Sequence, residues 1–163
     1  MRSPVSRRGA LIAGLSTLAG CATLLPPKET KLTVKIGTAA TVNPSAADVS
    51  SPLLFRVYTL RADTKFLQSD TQSLYDADAA TLGTDLLSKH EFLLAPSAED
   101  GFTATVPAEA AFVAVVAGFR QLDVAQWRAA APIKVAQINT ALIWATGLDM
   151  TLTVQAEPKA WPL

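Results

Sequence analysis

The 163-residue chain has one cysteine, Cys21, and one histidine, His90, so thiol and imidazole chemistry have a single place each. Cys21 follows directly on "GALIAGLSTLAG", a dozen small or apolar residues, before anything that reads as a folded domain. His90 sits between Lys89 and Glu91 in a strand-like run. It has no serine and aspartate context for a nucleophilic triad, so a surface or edge position is the simpler reading. One histidine and one thiol cannot supply the several ligands of a zinc site. Neither a GxGxxG nor a P-loop is present to cradle phosphate. Asp76 with Asp78, and Glu99 with Asp100, are paired acids in loop-like sequence. Solvated turns explain them more simply than acid–base catalysis or calcium binding. The expectation is a protein without catalytic residues, metal, cofactor or small-molecule substrate.

Cys21 is different, because its surroundings specify a reaction. "MRSPVSRR" carries Arg2, Arg7 and Arg8, and the apolar run after it is too short to cross a bilayer, which takes about 20 residues. A positive start, a short apolar core and small residues at the exit read as a secretory signal peptide over residues 1–20. The exit, Leu18-Ala19-Gly20-Cys21, resembles a bacterial lipobox. That resemblance implies that the Cys21 sulfur takes a diacylglycerol as a thioether, after which Cys21 becomes the N-terminus and is N-acylated. An ordinary signal peptide with an incidental cysteine, or a buried core thiol, is the alternative. Ala22 stands where an inner-membrane retention signal would have Asp, which favours the periplasmic face of the outer membrane. Ser6-Arg7-Arg8 hints at twin-arginine export, but Gly9 to Ile12 fit that motif poorly, so the general secretory route is expected. Residues 21–31 then form the lipidated N-terminus and a tether, in which "ATLLPPKETK" reaches at most about 35 Å and Pro26-Pro27 stiffens it.

The remainder, residues 32–163, must position whatever the anchor holds. Beyond residue 20 the chain has 11 basic and 14 acidic side chains, a mildly acidic body without a basic stripe, which argues against nucleic acid. Period-two alternation marks strands at "KLTVKIGT" (31–38), "LLFRVYTLR" (53–61), "KHEFLLA" (89–95), "GFTATVP" (101–107), "PIKVAQI" (132–138) and Leu148 to Gln155. "SAED" before Gly101 supplies a hairpin-like turn. "AAFVAVVAGFRQ" (110–121) is apolar on both faces and predicts a central strand covered on both sides. Seven short strands predict a mainly β, antiparallel sandwich. Residues 61–87 break the rhythm: Asp63 and Asp78 are candidate N-caps, and Phe66, Leu67, Leu82 and Leu86 fall at helical spacings. A small helical insertion over about 62–87 is expected on one side of the sandwich.

Two further features stand out. Trp127 and Arg128 are either an exposed contact pair or, as favoured here, a plug at the end of the sandwich with Arg128 capping or pairing nearby. "TVNPSAADVSSP" (41–52) joins the first two strands and is too long for a tight hairpin. Long ordered connections are commonly functional, although composition alone suits a plain surface loop equally well.

These pieces together resemble the TssJ family, the outer-membrane lipoproteins of the type VI secretion system. The resemblance rests on the lipobox at Cys21, on "VNPSAADVSSPLLFRVYTL", on "FLQSDTQSLY" and on "VAVVAGFRQLDVAQWRAAAPI", in that order through nearly the whole mature chain. "NTALIWATGLD" departs from it, replacing a shorter turn between the last two strands. The resemblance implies a transthyretin-like β-sandwich with added helices, and a structural role binding the periplasmic C-terminal region of the inner-membrane protein TssM. It also implies that the first inter-strand loop contributes to that binding, here Val42, Asn43, Pro44, Ser45, Ala46, Ala47, Asp48, Val49, Ser50 and Ser51. Asp48 is the only charge in the loop, so a mainly apolar and backbone-mediated contact is expected. The rival reading is a transthyretin-like periplasmic enzyme or small-ligand carrier. Hydrolases of that kind use several histidines, and this chain has one.

Overall fold

The computed structural model describes residues 29–158. The signal peptide, Cys21 and most of the tether lie outside the described residues. Two four-stranded sheets pack face to face. One has the order β4-β1-β7-β8, from β1 (Thr30–Thr38), β4 (Glu99–Val106), β7 (Gln137–Thr146) and β8 (Asp149–Pro158). The other has the order β3-β2-β5-β6, from β2 (Leu53–Leu60), β3 (Leu86–Leu94), β5 (Phe112–Ala117) and β6 (Arg128–Pro132). The mainly β sandwich expected from alternation is therefore present. One pairing departs from the antiparallel rule: β1 and β7 run parallel, with Leu32 opposite Asn139 and Ile36 opposite Ile143.

Alternation positions the core. Leu32, Val34 and Ile36 of β1, Leu53, Phe55 and Val57 of β2, and Ala141, Ile143 and Ala145 of β7 point between the sheets and are buried. β5 is covered on both sides, as its unbroken apolar run requires. Val113, Val115 and Ala117 enter this core, while Ala114 and Val116 face a second one. The second core lies under the insertion, which forms α1 (Thr64–Gln68), α2 (Thr71–Asp76), α3 (Asp78–Leu82) and a 3-10 turn, Gly83–Asp85. Phe66, Leu74 and Leu82 bury themselves on Tyr58 and Leu60, whereas Leu67, on the far side of α1, is exposed. The side-chain cap belongs to Asp70, whose carboxylate accepts the Ser73 N–H at 2.7 Å; Asp63 stands at the α1 N-cap without such a bond, and Ala77, not Asp78, occupies the cap of α3.

Two strand expectations are corrected. "PIKVAQI" (132–138) is largely the turn from β6 to β7: Lys134 donates its N–H to Asn139 Oδ1 (2.7 Å), and Ala136 takes φ 60°. The segment "NTALIWAT", expected as part of a long turn, is most of the ten-residue β7, paired on both sides. Its inward positions hold Asn139, Ala141, Ile143 and Ala145 while Leu142 and Trp144 face solvent, so the contrast between its two faces is blurred.

The registers sort the connections into two poles. Thr30 pairs with Val106, Lys31 with Ile138 and Gln137 with Pro158, so the first and last described residues share one pole with the β4–β5 and β6–β7 turns. The β1–β2, β3–β4, β5–β6 and β7–β8 connections occupy the other, which we call the loop pole. β1 alone spans about 27 Å between them.

Candidate functional site

The loop pole is built around Asn43. Its φ of 51° is a left-handed conformation that asparagine tolerates better than most residues. In that conformation the backbone N–H of Asn43 reaches Gly147 O in the β7–β8 turn (2.8 Å). The side chain donates Nδ2–H to Pro52 O (2.9 Å) and accepts the Arg120 N–H on Oδ1 (2.8 Å). One buried residue thus ties together three loops from both sheets. Gln121 adds a second tie, donating Nε2–H to Pro44 O at 3.2 Å. On the β3–β4 side, Thr38 Oγ1 donates to Ala95 O at 2.7 Å.

Beyond this base the β1–β2 loop closes on itself. Ser45 Oγ accepts N–H groups from Ala47 (3.2 Å) and Val49 (3.3 Å), and the Ser45 N–H reaches Val49 O at 2.9 Å. The ten loop residues from Val42 to Ser51 divide by burial. Val42, Asn43 and Ser51 are buried and build the loop, Pro44, Ser45 and Ser50 are half-buried, and Ala46, Ala47, Asp48 and Val49 form the exposed tip. Val49 is 63% exposed. Val124 in the adjoining β5–β6 loop and Leu93 at the end of β3 are each 71% exposed. Neither was singled out in the sequence, because a lone valine or leucine carries no local signal. On the outer face of the first sheet, the Trp144 indole lies against Gly37: a Cβ on Gly37 would stand 2.6 Å from the ring. Leu142 and Lys35 border the resulting open groove of about 650 Å³.

The other chemistry-bearing residues are structural. Asp78 is buried, not a solvated turn residue. It accepts the Tyr58 hydroxyl (3.0 Å), the Lys89 ammonium (3.0 Å) and the Ala79 N–H (2.7 Å), with Arg56 3.9 Å away. Burial alone would raise its pKa, but the bonds from Lys89, Tyr58 and Ala79 outweigh that and hold the carboxyl below its ordinary value. Burial and then the Asp78 charge push the Tyr58 hydroxyl up. Burial raises Tyr75 to about 12, opposed by the Arg56 guanidinium over its ring. His90 stacks on Phe102 with centroids 3.9 Å apart, at the seam where β3 meets β4, in keeping with an edge role. Arg128 donates to Ser69 O (2.6 Å) and Phe66 O (3.2 Å) at the end of α1 and lies over Trp127, which packs against both cores. Among the described residues, no three His, Cys, Asp or Glu side chains come together to hold a metal.

A two-sheet sandwich with helices on one outer face and a stapled rim of loops at one pole defines an interaction module. The family model described as type VI secretion lipoprotein (VasD, EvfM, TssJ) matches residues 30–158, and the chain belongs to that family. It is similar to the lipoprotein TssJ1 of Pseudomonas aeruginosa, with 32% identity, a TM-score of 0.75, and 82% of this chain and 100% of that one covered. The fold is shared with Serratia marcescens Lip, a membrane-bound component of the type VI secretion system (22% identity, TM-score 0.70, 76% and 96% covered). It is also shared with a chain in the structure described as the TssM C-terminal domain from EAEC (22% identity, TM-score 0.61, 76% and 97% covered). No curated protein sequence matches the chain significantly.

Proposed function

We propose that this lipoprotein is anchored in the outer membrane through acylated Cys21 and grips the periplasmic C-terminal region of TssM with its loop pole, a structural rather than enzymatic role. The observation that carries the reading is the Asn43 staple, which holds the Ala46–Val49 tip, the β5–β6 loop and the β7–β8 turn in one arrangement. A rim fixed before encounter loses less conformational entropy on docking than a flexible one. The tip offers Ala46, Ala47 and Val49 with one charge, Asp48, which suits an apolar and backbone-mediated contact. Membership in the type VI secretion lipoprotein family favours TssM as the partner. The placement fits an anchored protein, since the tether enters at the pole opposite the tip. The test is titration of the TssM periplasmic C-terminal region onto this protein and onto its Val49→Asp variant. Val49→Asp is expected to weaken binding at least about tenfold with an unchanged melting temperature. An equal dissociation constant for both proteins removes the tip from the interface.

A further inference from the structure

The pole opposite the loops has its own rigid projection. The β6–β7 turn runs Ile133-Lys134-Val135-Ala136, with Ile133 buried and Val135, at its tip, 53% exposed. The projection is fastened from beneath. Fully buried Asn139 accepts the Lys134 N–H (2.7 Å) and donates Nδ2–H to Lys134 O (2.9 Å) and Gln137 O (3.3 Å). The Ala136 N–H reaches Thr30 Oγ1 at 2.8 Å. Thr30 opens β1, so the turn is bolted to the residue on which the tether from Cys21 arrives. A buried asparagine and a buried threonine spent on a surface turn keep an aliphatic tip pointing outward instead of letting it fold back.

Chain length decides what that tip meets. Nine peptide steps separate Cys21 from Thr30, a reach of about 30 Å at full extension. The domain is about that long from Thr30 to the loop pole. Bringing the loop pole to the bilayer would need the tether fully drawn out along the domain. The terminal pole meets the bilayer with slack to spare. From this we infer that the β6–β7 turn is a second membrane contact, with Val135 inserting among the phospholipids that hold Cys21 and Lys134 extending its ammonium to the phosphates. The inference rests on the lipid-anchor reading. Glu109 and Glu157 share this pole, so the contact is chiefly aliphatic and survives added salt. It fixes the domain upright, with the docking rim pointing away from the membrane.

The acylated Cys21 sulfur leaves no free thiol in the mature protein, so one introduced cysteine takes a label uniquely. The full lipidated protein carrying Val135→Cys, and separately Val49→Cys, is labelled with an environment-sensitive fluorophore and reconstituted into phosphatidylethanolamine–phosphatidylglycerol vesicles. The expected result is a blue-shifted emission at position 135, quenched by nitroxide-bearing lipids at least about twofold more than at position 49, with and without 0.5 M salt. Equal quenching at the two positions, or stronger quenching at 49, overturns the contact. The mass of the N-terminal peptide from the same preparation separates the two readings. With a triacylated peptide, equal quenching defeats the second contact alone. An unacylated peptide defeats the anchor, and the contact falls with it.

Discussion

The side-chain carbonyl of Asn43 accepts the backbone N–H of Arg120 at 2.8 Å, joining loops 77 residues apart in the chain. Asn43 is 2% exposed, so its side-chain carbonyl has no water to fall back on. Through this bond the rim of one sheet is registered against the rim of the other. The β1–β2 loop is long yet ordered because its base is held from three directions.

Asn43→Ala removes both side-chain bonds and places an alanine at φ 51°. Buried bonds left unmade and a left-handed non-glycine residue together cost about 3 kcal/mol. The variant is expected to fold but unfold at a lower urea midpoint, lowered by that energy divided by the denaturant slope, and to bind TssM more weakly than its residual stability accounts for. Denaturant titration beside a binding isotherm checks this. Full affinity in a destabilised Asn43→Ala would mean that the staple serves the fold and not the rim.

Asp78 gives the fold a defined acid response. Its folded pKa lies below that of the unfolded chain, so its contribution is fully present above about pH 4 and fades as pH falls through the folded value. Asp78→Asn is expected to cost about 2 kcal/mol at pH 7, since Lys89 and Arg56 lose the buried one of the two carboxylates they share, keeping only the half-exposed Glu91. The gap between variant and wild type should narrow from pH 5 towards pH 3. Urea midpoints at these values measure it, and a constant gap would show that the carboxylate charge is immaterial.

How much of this was legible from residues follows from where bulky side chains point. β1 and β2 turn large residues inward at every second position, and β5 is apolar throughout, so alternation found them. β6 reads "RAAAP", without amphipathic contrast, and gives no periodic signal. β7 hides because Ile143 is the one large apolar residue it buries, beside Asn139, Ala141 and Ala145, while it shows Leu142 and Trp144 to solvent. The turn at 133–136 imitates a strand because Ile133 and Val135 are two apart, yet one is buried and the other is exposed at a reversal made by Asn139. The β1–β2 loop stands out in the sequence by its length and by the family resemblance. Its division into a buried base and an exposed tip depends on bonds to Arg120 and Gly147, which are remote in sequence.

Trp144 packs against the bare Cα of Gly37. In Gly37→Ala the new methyl would stand 2.6 Å from the indole, and a surface tryptophan can swing away more cheaply than a backbone can shift. Stability should therefore change by less than about 1 kcal/mol. In a ¹⁵N–¹H spectrum the Trp144 indole resonance is expected to move while that of Trp127, stacked under Arg128, stays in place. Coordinated movement of both would indicate that the two sheets have shifted, contradicting a local displacement.

Cys21→Ser separates anchoring from docking. The serine hydroxyl cannot replace the sulfur as acceptor of the diacylglycerol, so the variant should accumulate as an unlipidated precursor. Each buried methylene of an acyl chain contributes about 0.8 kcal/mol, and losing several chains removes more binding energy than a single turn residue could supply. The protein should leave the outer-membrane fraction, and secretion should stop. The Asn43 staple and the Ala46–Val49 tip lie at the far pole and are untouched, so the folded domain of the variant should bind TssM with wild-type affinity in solution. Normal outer-membrane fractionation of Cys21→Ser would place the anchor elsewhere, whereas lost TssM affinity in solution would mean that the lipidated end takes part in the grip.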